Sequence, residues 1–167
     1  MQVYLVRHAI AYPRDSHSGR MDSDRELTPA GIARFKQTIP AYVRLGVMLD
    51  EIWTSPYVRA RQTAELLCSG LDLSRPPRLM SELEPEGEAE RLLPALELRA
   101  DREAIALVGH EPALSELAGL ILTGQRRSIV TFKKGGSCCI DVQRFGNQLD
   151  ANLKWLMTPK ELRWLGK

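Results

Sequence analysis

Three short apolar runs, each separated from the next by helix-length sequence, constrain this chain most. Val3-Tyr4-Leu5-Val6, Ile52-Trp53-Thr54 and Ile105-Ala106-Leu107-Val108 read as short buried strands, and each leads directly into residues that carry chemistry. The first runs into Arg7-His8-Ala9. The second runs into Ser55-Pro56 and a helix bearing Arg59, and the third delivers Gly109-His110. In open α/β sheets, ligands bind outside the carboxyl ends of the strands. Arg7, His8, Arg59 and His110 are therefore candidates for one common site.

The intervening sequence supports an α/β reading. Thr28-Pro29 opens a helix, with threonine as N-cap and proline at the first helical position. Ile32, Phe35, Ile39, Tyr42 and Val43 continue it at helical spacing, with a kink near its end at Pro40. Ser55-Pro56 repeats this start, so the next helix is expected from a Ser55 cap to about Gly70, with Arg59 in its first turn. Further along come a strand at Leu79-Met80, a helix over 88–98, and a helix from Pro112 to Leu122, stopped by Gly124.

From Ile129 the pattern changes. Val130-Thr131-Phe132, Ser137 to Val142 and Asn152 to Met157 read as strands joined by glycine-containing turns, at least partly antiparallel, before a short helix from Pro159. Residues 1–167 thus read as one domain: a three-layer α/β/α sandwich with a mixed, mostly parallel central sheet. The polar stretch from Tyr12 to Glu26 reads as a loop over the site.

Composition narrows the function classes. A net charge of +2, with basic and acidic residues interspersed, is too weak a footprint for a nucleic-acid partner. No apolar run reaches the length of a membrane span, and no signal peptide is visible, so the expectation is a cytoplasmic protein without a membrane partner. The odd cysteine count, with Cys138 and Cys139 adjacent, argues against a disulfide framework. Cys68, Cys138 and Cys139 are read as small apolar residues, and Trp53, Trp155 and Trp164 as packing residues. His17, in the polar loop without a partner motif, reads as solvent-exposed.

Two cations flanking two imidazoles suit a phosphoryl group. Arginine stays protonated and can bridge two oxygens, so Arg7 and Arg59 are the candidate phosphate ligands. A histidine must be neutral to attack phosphorus, and nearby arginines disfavour imidazolium. His8, beside Arg7 where the first strand exits, is the candidate nucleophile and would form a covalent phosphohistidine that water then hydrolyses. His110 would bind the transferring oxygens or assist with a proton. The scheme calls for no metal and no cofactor.

Four segments, Arg7-His8-Ala9, Leu27-Thr28-Pro29-Ala30-Gly31, Ser55-Pro56-Tyr57-Val58-Arg59-Ala60-Arg61-Gln62-Thr63-Ala64 and Val108-Gly109-His110, resemble in order and spacing the motifs of the histidine phosphatase superfamily (phosphoglycerate mutase-like). The short length and the ending Trp155-Leu156-Met157-Thr158-Pro159 are similar to its SixA-type protein phosphohistidine phosphatases. The resemblance implies a phosphoglycerate mutase-like fold. It also implies His8 as phosphorylated nucleophile, Arg7 and Arg59 as phosphate ligands, and His110 as second catalytic histidine. Its implied partner is a phosphohistidine-bearing signalling protein, either a histidine-containing phosphotransfer domain or a histidine kinase. The chain itself is expected to act as a monomer.

One departure is that Ala9 stands where the superfamily usually has glycine. The general acid that phosphomonoesterases of the superfamily use would fall in the segment 81–88, with Glu84 the first candidate. An imidazole leaving group needs such an acid less than an alkoxide does. The sequence therefore favours a phosphohistidine phosphatase. The alternatives are a phosphatase of a small phosphomonoester and a module that binds phosphoproteins without cleaving them.

Overall fold

The structure is a computed structural model in which residues 1–14, 21–146 and 149–167 are described. His17 lies outside the described residues. Six strands form one sheet: β1 (Gln2–Arg7), β2 (Glu51–Thr54), β3 (Arg78–Leu79), β4 (Ala104–Gly109), β5 (Ser137–Arg144) and β6 (Asp150–Met157), in the spatial order β3-β2-β4-β1-β5-β6. The first four run parallel, while β5 lies antiparallel to β1 and β6 antiparallel to β5. This is the mixed, mostly parallel sheet expected.

Register brings the strand ends together. Arg7 pairs with Gly109 across β1 and β4, and Thr54 pairs with Val108 across β2 and β4. The next residues along each strand, His8, Ser55 and His110, therefore leave the sheet at one rim.

Helices cover both faces, because successive side chains of a strand point to opposite sides. Val3, Leu5, Ile105 and Leu107 join one core with α4 (Leu92–Glu97) and α5 (Ala113–Thr123). Tyr4, Val6, Ala106 and Val108 join the other. There they meet α1 (Pro29–Lys36), α2 (Ile39–Arg44), α3 (Val58–Gly70) and α6 (Pro159–Leu165). Cys138 and Cys139 divide between the two cores as small buried residues, and all three cysteines are free. Trp53 is fully buried, whereas Trp164 is largely exposed, against the expectation of a packing role.

Local chemistry accounts for several helix ends. Thr28 caps α1 by accepting from the Gly31 N–H at 2.9 Å, with Pro29 at the first helical position. Thr158 and Glu161 form a reciprocal capping box at α6. Gly124 ends α5 in the left-handed conformation, φ 71°.

The expected single helix ending near Val43 is in fact two. Pro40 has no N–H to donate and its ring crowds the carbonyl four residues earlier, so the helix cannot run through it. The break falls at Thr38, whose hydroxyl donates to the Phe35 carbonyl at 2.7 Å, and α2 restarts with the proline in its first turn. The helix expected over 88–98 is a 3-10 turn at Ala89–Arg91 followed by α4.

Val130-Thr131-Phe132 is not a strand. The Phe132 N–H donates to Glu111 and its carbonyl accepts from Arg7, so the backbone groups that a ladder would use are taken by the rim. No described helix is long and apolar enough to cross a membrane.

Candidate active site

His8 is fixed at both ends of its backbone. Its N–H donates to the Gly109 carbonyl at 3.1 Å, and its own carbonyl accepts from the Gly135 N–H at 3.1 Å. Gly135 sits at φ 79°, a left-handed turn that suits glycine and lets its N–H face the end of β1. The His8 Nδ1 lies 2.7 Å from the Ala9 carbonyl. A carbonyl only accepts, so Nδ1 carries the hydrogen and Nε2 carries the lone pair.

Ala9 needs no glycine backbone: Asp72 is the one non-glycine with positive φ among the described residues. The Ala9 N–H donates to the Thr63 hydroxyl at 3.0 Å, which in turn donates to the Arg59 carbonyl at 2.7 Å. This pair of bonds ties the end of β1 to α3.

The four candidate residues converge. The His8 and His110 rings have centroids 4.9 Å apart, and Tyr57 meets His110 edge-on at 5.3 Å. Arg59 falls in the first turn of α3, as expected, and lies over the Tyr57 ring at 5.0 Å. The expected Ser55 cap is not there. Tyr57 occupies the N-cap position, and the Ser55 side chain instead accepts from the Tyr57 N–H and contacts His110 Nε2 at 3.0 Å.

Both arginines are held by groups that sequence reasoning missed. Arg7 Nη1 donates to the Phe132 carbonyl at 2.6 Å. Glu111 accepts from the Phe132 N–H at 2.6 Å and from the Ser115 hydroxyl at 2.6 Å, so one carboxylate braces the segment on which Arg7 rests. Arg59 donates to the Asp22 backbone carbonyl at 2.6 Å and to its carboxylate at 2.9 Å. Arg25 donates to the same carboxylate at 2.8 Å. The base of the 12–26 loop is itself pinned by a bridge between Ala11 and Leu27. Within that loop, Asp22 is the described residue that reaches Arg59.

Electrostatics make the centre an acceptor of negative charge. Burial first, then the charges of Arg59, Arg7 and Lys134, push His8 down to about 3, against the hydrogen bond to Ala9 that raises it. Burial, then His8 and Arg59, push His110 down to about 2. Both rings are neutral at physiological pH. Burial would raise Asp22, but hydrogen bonds and charge from Arg25 and Arg59 hold it below the usual carboxylate range. It is therefore ionised.

Arg7 Nε, Arg59 Nε and His110 Nδ1 are buried without a hydrogen-bond partner among the described residues. Leaving a buried donor unpaired costs about 1–3 kcal/mol, more for a charged one. Glu84 comes directly after Leu83, whose carbonyl lies 3.3 Å from where a Cβ on Gly109 would stand. That puts the Glu84 backbone near the same rim, and its half-buried carboxylate makes no ion pair among the described residues.

Comparison with known proteins agrees with this frame. A protein of Picosynechococcus sp. (strain ATCC 27264 / PCC 7002 / PR-6), itself uncharacterised, is 36% identical over 99% of this chain and 99% of its own. The structure of the protein histidine phosphatase SixA complexed with tungstate superposes with a TM-score of 0.84 at 22% identity, over 97% of this chain and 99% of that one. The alpha-ribazole phosphatase from Shigella flexneri superposes at 0.74 with 20% identity, over 95% and 97%. These two likenesses show the fold, which is the phosphoglycerate mutase-like α/β fold. The model of the histidine phosphatase superfamily (branch 1) matches residues 3–86, half of the chain, and the chain belongs to that superfamily.

Proposed function

We propose that this protein is a phosphohistidine phosphatase acting on phosphorylated signalling proteins through a covalent intermediate on His8. The Nε2 lone pair of His8 attacks phosphorus, and the bond from phosphorus to the substrate imidazole breaks. The leaving nitrogen keeps the electron pair, and the leaving ring departs neutral when its other nitrogen carries a proton. Water then attacks the phosphorus on His8, releasing inorganic phosphate and restoring the neutral ring. Arg7, Arg59 and His110 donate to the phosphoryl oxygens throughout, which is where most of the catalysis of phosphoryl transfer resides.

The observation that carries the choice of substrate is the state of the two carboxylates bonded to Arg59 and to the Phe132 segment that supports Arg7. Asp22 is ionised between Arg59 and Arg25, and Glu111 accepts from Phe132 and Ser115. Neither is poised to protonate a departing alkoxide. An imidazole leaving group tolerates this, because it takes a proton near neutral pH. The partner would then be a histidine-containing phosphotransfer domain or a histidine kinase, engaged by a monomer.

A second reading, a phosphatase of a small phosphomonoester, draws support from Glu84, which makes no ion pair among the described residues and follows Leu83 beside Gly109. The deciding experiment compares kcat/KM on a phosphohistidine-bearing phosphotransfer domain with kcat/KM on a panel of phosphomonoesters, with His8→Ala as the blank. A preference for the phosphoprotein that the variant loses supports the proposal. Faster turnover of a small phosphoester, lost on Glu84→Gln, replaces it with the second reading.

A further inference from the structure

We propose that Ser55 sets the tautomer of His110, so that His110 presents an Nδ1–H rather than a lone pair to the phosphoryl group. The role toward the phosphoryl group rests on the proposed phosphatase activity, and the tautomer itself does not.

Hydrogen-bond accounting in a dry place decides the tautomer. Ser55 is fully buried and His110 is 2% exposed. The Ser55 Oγ already accepts from the Tyr57 N–H at 3.2 Å and lies 3.0 Å from His110 Nε2. If Nε2 carried the hydrogen, the serine oxygen would receive two donors. Its own hydroxyl hydrogen would then be stranded, because Ser55 Oγ has no other hydrogen bond among the described residues. If Nδ1 carries the hydrogen, the hydroxyl donates to Nε2 and every group around Ser55 is used. Each form leaves one buried donor unpaired, the His110 Nδ1–H or the serine hydroxyl, but the Nε2–H form also strands the Nδ1 lone pair, so the Nδ1–H form is selected.

The opposite side of the ring gives the consequence. His110 Nδ1 is buried and without a partner among the described residues, and the ring stands 4.9 Å from that of His8. A lone pair aimed at phosphoryl oxygens would repel them, whereas an N–H donates to them. Position 55 therefore acts through His110 rather than on the phosphoryl group, as a positioning residue. The two histidines consequently share one tautomer for opposite purposes. His8 keeps Nδ1–H on the Ala9 carbonyl so that Nε2 is free to attack. His110 commits Nε2 to Ser55 so that Nδ1–H is free to donate.

The test is long-range proton–nitrogen NMR of the ligand-free protein labelled with ¹⁵N-histidine, at about pH 7.5, where both rings are neutral. The His110 signals are assigned by their loss in His110→Gln. The expected result is a protonated Nδ1 and a lone-pair-bearing Nε2 on His110; a protonated Nε2 overturns the proposal outright. In Ser55→Ala the spectrum should move toward a mixture of tautomers, and an unchanged Nδ1–H spectrum removes Ser55 as the cause. Ser55→Cys, similar in shape with a weak donor, should fall between the two. It decides the question should the alanine variant not fold, since wild-type-like Nδ1–H selection there counts against the hydroxyl.

Kinetically, Ser55→Ala should lower kcat on a phosphorylated substrate about tenfold, the effect of one hydrogen bond, with little change in KM. Complete absence of turnover in the wild-type protein would end the phosphatase reading while leaving the tautomer result standing.

Discussion

Acid should destabilise this protein early, and the two buried imidazoles should be the cause. Folding holds His8 near 3 and His110 near 2, against an ordinary value of 6.5. Below pH 6.5 the unfolded chain binds a proton on each ring while the folded protein binds neither. Stability from keeping the rings neutral is therefore complete above 6.5, falls as the pH drops through it, and goes on falling toward the folded values. Between pH 7 and pH 5 each imidazole contributes a loss of about 2 kcal/mol, so the pair contributes about 4. Carboxylates held low, such as Asp22 and Glu51, act mainly below this window. Urea melts at the two pH values, in buffers free of phosphate so that anion binding does not stabilise the folded state, would measure the loss. The double variant His8→Gln/His110→Gln supplies the reference. The wild-type protein should lose about 4 kcal/mol more than the variant over that interval. Equal pH dependence in the two proteins would refute the assignment of neutral, desolvated rings.

Other consequences can be checked separately. His8→Ala should abolish turnover, and Arg7→Ala or Arg59→Ala should each lower kcat by on the order of 10²–10³ in a phosphatase assay, comparable to removing one oxyanion donor. Glu111→Ala strands the Phe132 N–H that it now receives at 2.6 Å. Chemical denaturation should show a loss of about 1–3 kcal/mol, accompanied by a fall in kcat because the Arg7 support loosens. Asp22→Asn keeps a hydrogen-bonding group beside Arg59 but removes the charge that competes with an anion. Inorganic phosphate should then bind roughly two- to fivefold tighter by calorimetry, the size expected of a partly screened charge.

Much of this was legible in the sequence because parallel strands that end at one rim announce a site. Arg7 ends an apolar strand, and His8 and His110 stand just past one; register brings these together, and α3, opening after β2, adds Arg59. What braces them was not legible. Asp22 reads as a turn residue and Phe132 as part of a β-branched run, yet each is spent on an arginine far from it in sequence. Ser55 before Pro56 has the form of a helix cap, but its oxygen faces His110 instead. Pairings of this kind arise from tertiary proximity, and local propensity carries no trace of them. A signal was available for Glu111 alone, as a carboxylate directly after a candidate catalytic histidine. Pro40 predicts a kink near the end of one helix, but the chain breaks ahead of the proline, at Thr38, and starts a second helix there.

The placement of β1 in the sheet has a consequence for how the molecule is made. Among the described elements it is first in the chain, yet it lies between β4 and β5, pairing Gln2 with Ala104 on one side and with Asp141 on the other. During synthesis its two edges must wait for segments roughly a hundred residues downstream, a non-local closure of the slow-folding kind. An apolar strand with both edges open is also a template for wrong partners. His8 gains its backbone anchors at Gly109 and Gly135 only when that wait is over. A nascent or truncated chain ending before this point would carry His8 without the anchors that place it, so the proposed site would form late and all at once, when β4 and the Gly135 turn are in place.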